Sequence, residues 1–442
     1  MMSQEQNDFI TRVGPTEPAG KLLRQYWQPI ALSDEIAGVH QVKAVRVLGQ
    51  DFVLFKQEDG RLGLLDKHCP HRGADLSYGR IEDGGIRCPF HGWLFDAKGN
   101  CLETPAEPEG SQLCTRIQQG AYPVVEKSGI VFGYFGEGDA PAFPHLDCFV
   151  APDTHVFAFK GLIECNWLQA LEVGIDPAHA SYLHRFFEDE ADETSYGKQF
   201  RSTSADSDLP VTKVLREYDR PDLHVEESEV GMRLTAVREL SNNQRHVRIT
   251  NMVFPQAIVI PMSSTMTISQ WHVPVDDHNC YWYAIFTSFT DPVDKEQMRA
   301  QRLELYELPD YISRRNRSNN YGFDPVEQQK STYLGMGHDI NVHDQWAVES
   351  LGSIQDRTKE HLGTTDKGII LYRRILIRAI KACLDGQMDA LPMRHDSHAA
   401  QSITGPIAID GVTASHTPEG YLVHADQERR RSSSWAASVG NN

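Results

Sequence analysis

An α+β fold in two domains is what this sequence predicts, and three observations carry it. The chain has 442 residues, more than one hydrophobic core usually organises. From about Val42 to Phe135 the pattern is one of short, alternating, Gly-broken runs, the mark of a small antiparallel β domain. Beyond it, strand-like and helical runs come in blocks, which favours an antiparallel sheet covered by helices over a doubly wound sheet.

The first domain is expected over residues 1–144. It opens with a short helical stretch, AGKLLRQYW, whose Leu22, Leu23 and Tyr26 share one side. Strands follow in VKAVRVLGQDFVLFKQEDGRLGLLD and GGIRCPFHGWLFDAKGNCLETP, turned at Glu58-Asp59-Gly60 and Ala97-Lys98-Gly99-Asn100. Gly136–Pro144 (GEGDAPAFP) reads as a linker. The second domain is expected over 145–425. Its strand-like runs are His155–Lys160, Val247–Ile260, Thr265–Val275 and Tyr281–Thr290; its helical runs are Asn166–Val173, Lys295–Leu308, Val342–Gln355 and Lys367–Leu384. The polar residues 426–442 (DQERRRSSSWAASVGNN) are expected to be a disordered tail.

Charge narrows the function. A net charge of −18, from 61 acidic against 43 basic residues, excludes the basic footprint that nucleic acid requires and disfavours an anionic membrane surface. No apolar run approaches the length of a membrane span, and the first residues lack a signal peptide's basic start and apolar core. Eight Cys in so long a chain make no disulfide scaffold, so a reducing cytoplasm is the expected compartment.

Four residues stand out by spacing. Cys69-Pro70-His71 and Cys88-Pro89-Phe90-His91 are a C-x-H and a C-x2-H pair, sixteen residues apart. Such a set could hold zinc or a [2Fe-2S] cluster. Zinc knuckles favour Cys-x2-Cys at one or both ends, whereas the Rieske arrangement needs one Cys and one His from each loop, which is what both loops offer. Glycines at 73, 79, 84, 85 and 92 suit tight loops, and Trp93 is placed to wall the site from water. The remaining Cys (101, 114, 148, 165, 280, 383) lack ligand spacing and read as buried free thiols.

At this point the stretch CPHRGADLSYGRIEDGGIRCPFHGW resembles the Rieske signature of ring-hydroxylating oxygenase large subunits. Phe90 stands where many members have Tyr, so a phenolic hydroxyl near the cluster is absent here.

A second constellation lies in NWLQALEVGIDPAHASYLH, residues 166–184. Two imidazoles plus one carboxylate, leaving positions for O2 and substrate, form the facial triad of non-haem Fe(II) oxygenases. His179 and His184 are five apart, about 140° on an ideal helix, so they reach one metal only if the helix widens or the metal sits at its end. The segment resembles the N-W-x-Q-x-x-E…D-x-x-H-x4-H stretch of Rieske oxygenase catalytic domains. That resemblance makes His179 and His184 the imidazole ligands and Asp176 the carboxylate that bridges to a cluster His of the neighbouring subunit. From the residues, Asp176 is a cap before Pro177 that can reach the far nitrogen of His179. Candidates for the third ligand are Asp339, Asp344, Glu349 and Asp356. Asp344 is favoured because Ala347, Val348, Leu351 and Ile354 make an apolar stripe around it, and because the stretch resembles the family's ligand-bearing helix.

TRVGPTEPAGKLLRQYWQPIALSDE and QDRTKEHLGTTDKGIILYRRIL look like the two ends of the phthalate dioxygenase branch. The resemblance implies a homo-oligomer, a trimer or a multiple of it, fed by an NADH-dependent reductase with FMN and [2Fe-2S], or by a ferredoxin. It implies hydroxylation of an aromatic carboxylate with O2, or O-demethylation of a lignin-derived methoxylated aromatic acid. An anionic substrate calls for a buried cation, and Arg248, alternating with apolar neighbours in His246–Met252, is the first candidate ahead of Arg201, Arg216 and Arg233. Two rival classes are a Rieske electron carrier, which has no use for Asp176, His179, His184 and Asp344 together, and a two-zinc structural or hydrolytic protein.

Overall fold

The computed structural model describes residues 2–39, 41–188, 209–394, 405–414 and 417–438. The first 133 residues build small antiparallel sheets. One pairs Gln28–Leu32, Ile130–Gly133 and Val124–Lys127; a second joins Val42–Val47, Gln50–Lys56 and Leu62–Asp66; a four-stranded one holds Arg80–Glu82, Gly85–Arg87, Leu94–Phe95 and Cys101–Glu103. Val53, Phe55, Leu65, Leu76, Ile86 and Phe95 close a separate small core around Cys69 and Cys88.

The second part is an eight-stranded antiparallel sheet. Its order is Val156–Ile163, Cys280–Ser288, Met266–Pro274, Ala257–Pro261, Arg245–Val253, Gly231–Glu239 and Asp222–Ser228, with Ile409–Thr413 also paired to Arg245–Val253. The expected run Val247–Ile260 is two strands joined by a tight turn, with Val253 paired to Ala257. Strands Asp222–Ser228, Gly231–Glu239 and Ile409–Thr413 carry no apolar run long enough to have been expected. The Lys367–Leu384 helix has the expected bounds, and Trp167–Gly174 and Ile340–Ser350 fall close to theirs. The Lys295–Leu303 helix stops short of Leu308.

The expectation of a disordered tail is overturned. The tail is ordered through residue 438: Pro418–Ser432 is a helix and Trp435 is buried, stacked on Phe289 at 5.0 Å between ring centroids. Its charges are partners rather than solvated ends. Asp426 pairs with Arg429 and Arg430, and Arg430 also reaches Asp147 at 2.8 Å. A polar composition does not distinguish paired charges from free ones.

The Trp167–Gly174 helix is held to the outer helices by a buried ion cluster. Glu172 accepts from Arg357 at 2.8 Å and from Arg373 at 2.6 and 2.9 Å, while Arg373 also binds Glu360. Burial alone would raise the Glu172 carboxyl, but the two guanidiniums outweigh it and hold it below the ordinary value of 4.5. Its contribution is therefore fully present above that value and lost as pH falls through the lowered one. Removing one member strands the others. Glu172→Ala is expected to cost about 3–5 kcal/mol, read as a shift in a urea or thermal unfolding curve. A loss under about 1 kcal/mol would mean the cluster is solvated.

Candidate metal centres and catalytic cavity

The two cluster loops have the same construction. In each, Pro follows Cys and a Gly sits four residues on, at Gly73 (φ +77°) and Gly92 (φ +76°), a backbone region that side chains rarely adopt. The Gly73 and Gly92 amides donate to the Cys69 and Cys88 carbonyls, and the Cys amides donate to the carbonyls of Ala74 and Trp93. The shared closure turns both thiols inward, where they are 2% exposed. Burial, with Cys88 alongside, pushes the Cys69 thiol up to about 11, so a thiolate there needs a bound cation. The His71 and His91 rings lie 4.5 Å apart between centroids, and Trp93 stacks on His71 at 4.4 Å. Arg72 of the first loop covers the Phe90 ring of the second at 5.5 Å. Two sulfurs inside and two imidazoles toward the surface match the donor set of a Rieske cluster.

Of the other Cys, 148, 165, 280 and 383 are buried free thiols. Cys101 and Cys114 are half-buried instead, with Sγ atoms 3.0 Å apart.

In the second constellation the two imidazoles sit at the two ends of a helical turn rather than on a widened helix. Only Ala180–Leu183 is helical, a single turn with His179 at its start and His184 at its end. This lets the two Nε2 atoms converge to 3.2 Å. Asp344 Oδ1 is 3.2 Å from His184 Nε2 and 3.6 Å from His179 Nε2. Among the described residues, that Oδ1 is enclosed and lacks a well-aligned hydrogen-bond donor, as an atom awaiting a cation would. Burial would raise the Asp344 carboxyl, yet the imidazoles, His184 first, hold it below the ordinary value of 3.8. Three ligand atoms within 4.8 Å of one another, two imidazole nitrogens and one carboxylate oxygen, fit Fe(II) with open positions.

The remaining carboxylate candidates are engaged elsewhere. Asp339 caps the Ile340–Ser350 helix and pairs with Arg302; Glu349 accepts from Tyr321, Gln345 and the Glu164 amide; Asp356 caps a turn at Thr358. The expected apolar stripe is not the buried face. Leu351 is 49% exposed, while Val342, His343, Gln345, Val348 and Glu349 are buried.

Asp176 differs from expectation in which atom meets His179. Its main-chain carbonyl contacts His179 Nδ1, and its carboxylate accepts the Ala178 amide at 2.9 Å, because the turn at Pro177 folds the backbone under the ring.

Above the triad lies a cavity of about 180 Å³, between the helices and one face of the large sheet. Ile163, Ile260, Met262, Ile268 and Trp282 supply much of its apolar wall. Arg248 reaches this cavity, but not as a bare cation: it donates to Asp410 at 2.7 Å and to the Pro261 carbonyl at 3.0 Å. Arg216 donates to the Phe186 carbonyl and Arg233 to Glu226, and neither lines the cavity; Arg201 lies outside the described residues.

Two buried histidines beside the triad escaped sequence reasoning. His272, alternating with Gln270 and Ile268 toward the cavity, is buried with neither ring nitrogen partnered among the described residues, and burial lowers it to about 4. His343 is fully buried beside His184 and also lowered to about 4, by burial and then by His184. The period-two spacing of Gln270 and His272 was a usable signal. His343, next to Asp344, had none.

Comparison with known proteins agrees with this geometry. The Rieske [2Fe-2S] domain model matches residues 26–123 and the "LigXa C-terminal domain like" model matches 133–405. The chain is 34% identical to the tert-butanol monooxygenase / tert-amyl alcohol desaturase oxygenase subunit of Aquincola tertiaricarbonis, over 84% of this chain and 76% of that one. It is 31% identical to the phthalate 4,5-dioxygenase oxygenase subunit of Pseudomonas putida, over 88% of each. With the 5,5'-dehydrodivanillate O-demethylase oxygenase subunit of Sphingobium sp. it shares 30% identity, over 96% of this chain and 92% of that one. In fold it resembles dicamba monooxygenase bound to dicamba, with a TM-score of 0.55 and 17% identity, covering 83% of this chain and 99% of that one. No described helix is long and apolar enough to cross a membrane. The chain thus belongs to the Rieske non-haem iron oxygenases, as an oxygenase subunit akin to that of phthalate dioxygenase that uses O2 and draws electrons from a reductase or ferredoxin.

Proposed function

We propose that this subunit hydroxylates a single-ring aromatic carboxylate, with Cys69, His71, Cys88 and His91 holding the cluster and His179, His184 and Asp344 holding the iron. The observation that carries the reading is the triad at the base of the small apolar cavity. About 150 Å³ accommodates a benzene ring, so a cavity near 180 Å³ suits one substituted ring. When bound, the cluster supplies single electrons and the iron activates O2.

The chain's own part is orientation and exclusion of water. Ile260, Ile268 and Trp282 press on the ring, and His272 offers a neutral imidazole to a polar substituent. Arg248 faces the carboxylate from its pairing with Asp410, which fixes the guanidinium while leaving its side chain 24% exposed.

Electron supply requires partners. Phe90 and Tyr78 stand exposed on the cluster loops, and Tyr182, Tyr333 and Leu351 are exposed around a groove that Asp176 also lines. Two unlike patches on one chain suit head-to-tail contact between copies, which closes into a ring such as a trimer. The electron donor is an NADH-dependent reductase with FMN and [2Fe-2S], or a ferredoxin, and the compartment is the cytoplasm.

O-demethylation of a methoxylated aromatic acid is the second reading, favoured by the 30% identity to the dehydrodivanillate enzyme along nearly the whole chain. One experiment separates them. Holoenzyme with a reductase and NADH is given phthalate isomers and methoxybenzoates, and products are followed together with formaldehyde. Ring-hydroxylated acid without formaldehyde is expected. Formaldehyde with a phenolic acid would replace the first reading by the second, and no substrate-dependent O2 uptake from either group would remove both.

A further inference from the structure

We infer that His343 is a positioning residue that fixes the tautomer of His184, presenting its bare Nε2 to the metal. The inference rests on the iron reading above and concerns how one of its ligands is held.

Proton bookkeeping carries it. His343 Nε2 lies 2.9 Å from the Gly337 carbonyl oxygen, which can only accept, so the hydrogen of a neutral His343 is on Nε2. Its Nδ1 is then bare. That Nδ1 faces His184 Nδ1 at 3.3 Å, and two bare nitrogens would repel, so His184 carries its hydrogen on Nδ1 and donates it. What is left on His184 is an unprotonated Nε2, the atom 3.2 Å from both His179 Nε2 and Asp344 Oδ1.

The same result is reached for His179 by a shorter route. Its Nδ1 meets the Asp176 carbonyl directly, which places the hydrogen there and leaves Nε2 bare. Both imidazoles are thus set by a main-chain carbonyl, one directly and one through an interposed imidazole. His343 is 0% exposed, and its ring lies nearly coplanar with that of His184, 20° between planes and 5.5 Å between centroids, as a hydrogen bond in the plane of both rings requires. The turn carrying Gly337 at φ +80° supplies the terminal acceptor.

The test compares His343→Leu and His343→Asn with wild type. Leu fills much of the space without an acceptor; Asn restores an oxygen near the Nδ1 position. Protein stripped of its mononuclear iron but retaining the cluster is dialysed anaerobically against graded Fe(II), and bound iron is counted per folded chain. The expected result is binding weakened about 10–100-fold in His343→Leu, the range for an outer partner of a metal-bound imidazole, and largely recovered in His343→Asn. A thermal melt monitors folding separately, so a residue that matters only for packing would lower the melting temperature while leaving the affinity of folded protein unchanged. Wild-type affinity in folded His343→Leu would overturn the inference and leave the iron reading standing. If wild type itself takes up no mononuclear iron, the reading beneath it fails instead. If His343→Leu does not fold, the comparison of His343→Asn with wild type decides: wild-type affinity supports the acceptor role, and a loss as deep as 10–100-fold counts against it.

Discussion

Asp344→Ala is expected to abolish product formation and mononuclear iron while the visible absorption of the cluster stays as in wild type. Three irons per chain should fall to about two, counting the cluster's pair. The effect should exceed the ~10–100-fold typical of losing an outer partner, because a direct ligand is removed and the remaining Nε2 atoms, 3.2 Å apart, face each other with no anion to balance a divalent charge. Anaerobic iron analysis beside the cluster spectrum makes the measurement. Glu349→Ala and Asp339→Ala serve as controls. Their carboxylates are bound to Tyr321 and to Arg302, so those variants should lose stability before they lose iron. Undiminished non-cluster iron in Asp344→Ala would move the ligand to another carboxylate.

The route by which sequence reasoning reached Asp344 shows what a pattern can and cannot register. An apolar stripe through Ala347, Val348 and Leu351 pointed to it, yet Leu351 is exposed and the buried face is largely polar. That face is buried because its polar groups are bonded: Glu349 to Tyr321, Gln345 to Glu349, His343 to Gly337. Hydropathy has no term for a hydrogen bond made to a distant element. Asp344 reaches the cavity because it shares a helix face with Asn341, Gln345 and Val348, which also line it.

The cluster loops were legible because everything that builds them is local. Each needs a Cys, a Pro, a His and a Gly within five residues, and the closing bonds stay within the same short stretch. Arg248 is the opposite case. Its alternation in the strand placed it at the cavity, but its partner Asp410 is 162 residues away, on a strand paired through Arg248↔Asp410. Nothing near Arg248 in sequence announces that its charge is already matched. His272 shows the same limit: its lack of any partner follows from the packing of several strands and helices around it. The tail was misread for a related reason, since Arg430 looks solvated until Asp147 is folded against it.

Asp176→Asn is expected to keep both metals, the fold and the assembly, yet to lower turnover by at least about 100-fold, as befits a group acting in the reaction rather than in folding. The position argues for it. Asp176 lines both the cavity above the triad and the outer groove ringed by Tyr182, Tyr333 and Leu351, so it lies between the inside of the site and a face open to a neighbour. Its backbone carbonyl fixes His179, and its carboxylate spends one oxygen on the Ala178 amide. A carboxylate accepts from more than one donor, so in the proposed head-to-tail assembly it can also receive an N–H from an imidazole on a neighbouring copy's cluster loops; Asp176 would then touch that imidazole by its carboxylate and His179 by its main-chain carbonyl. Asn retains the oxygen that caps Ala178, and with it the turn. It loses the charge and offers an N–H where an acceptor is needed. The discriminating measurement is a single turnover: enzyme with the cluster pre-reduced is mixed with substrate and O2, and reoxidation of the cluster is followed by absorbance. Slow reoxidation in Asp176→Asn, with iron content and oligomer size unchanged, is the expected outcome. Reoxidation at the wild-type rate would show that the carboxylate is not the link. A residue serving only as a cap would give a third pattern, with stability lowered by about 1 kcal/mol and electron transfer intact.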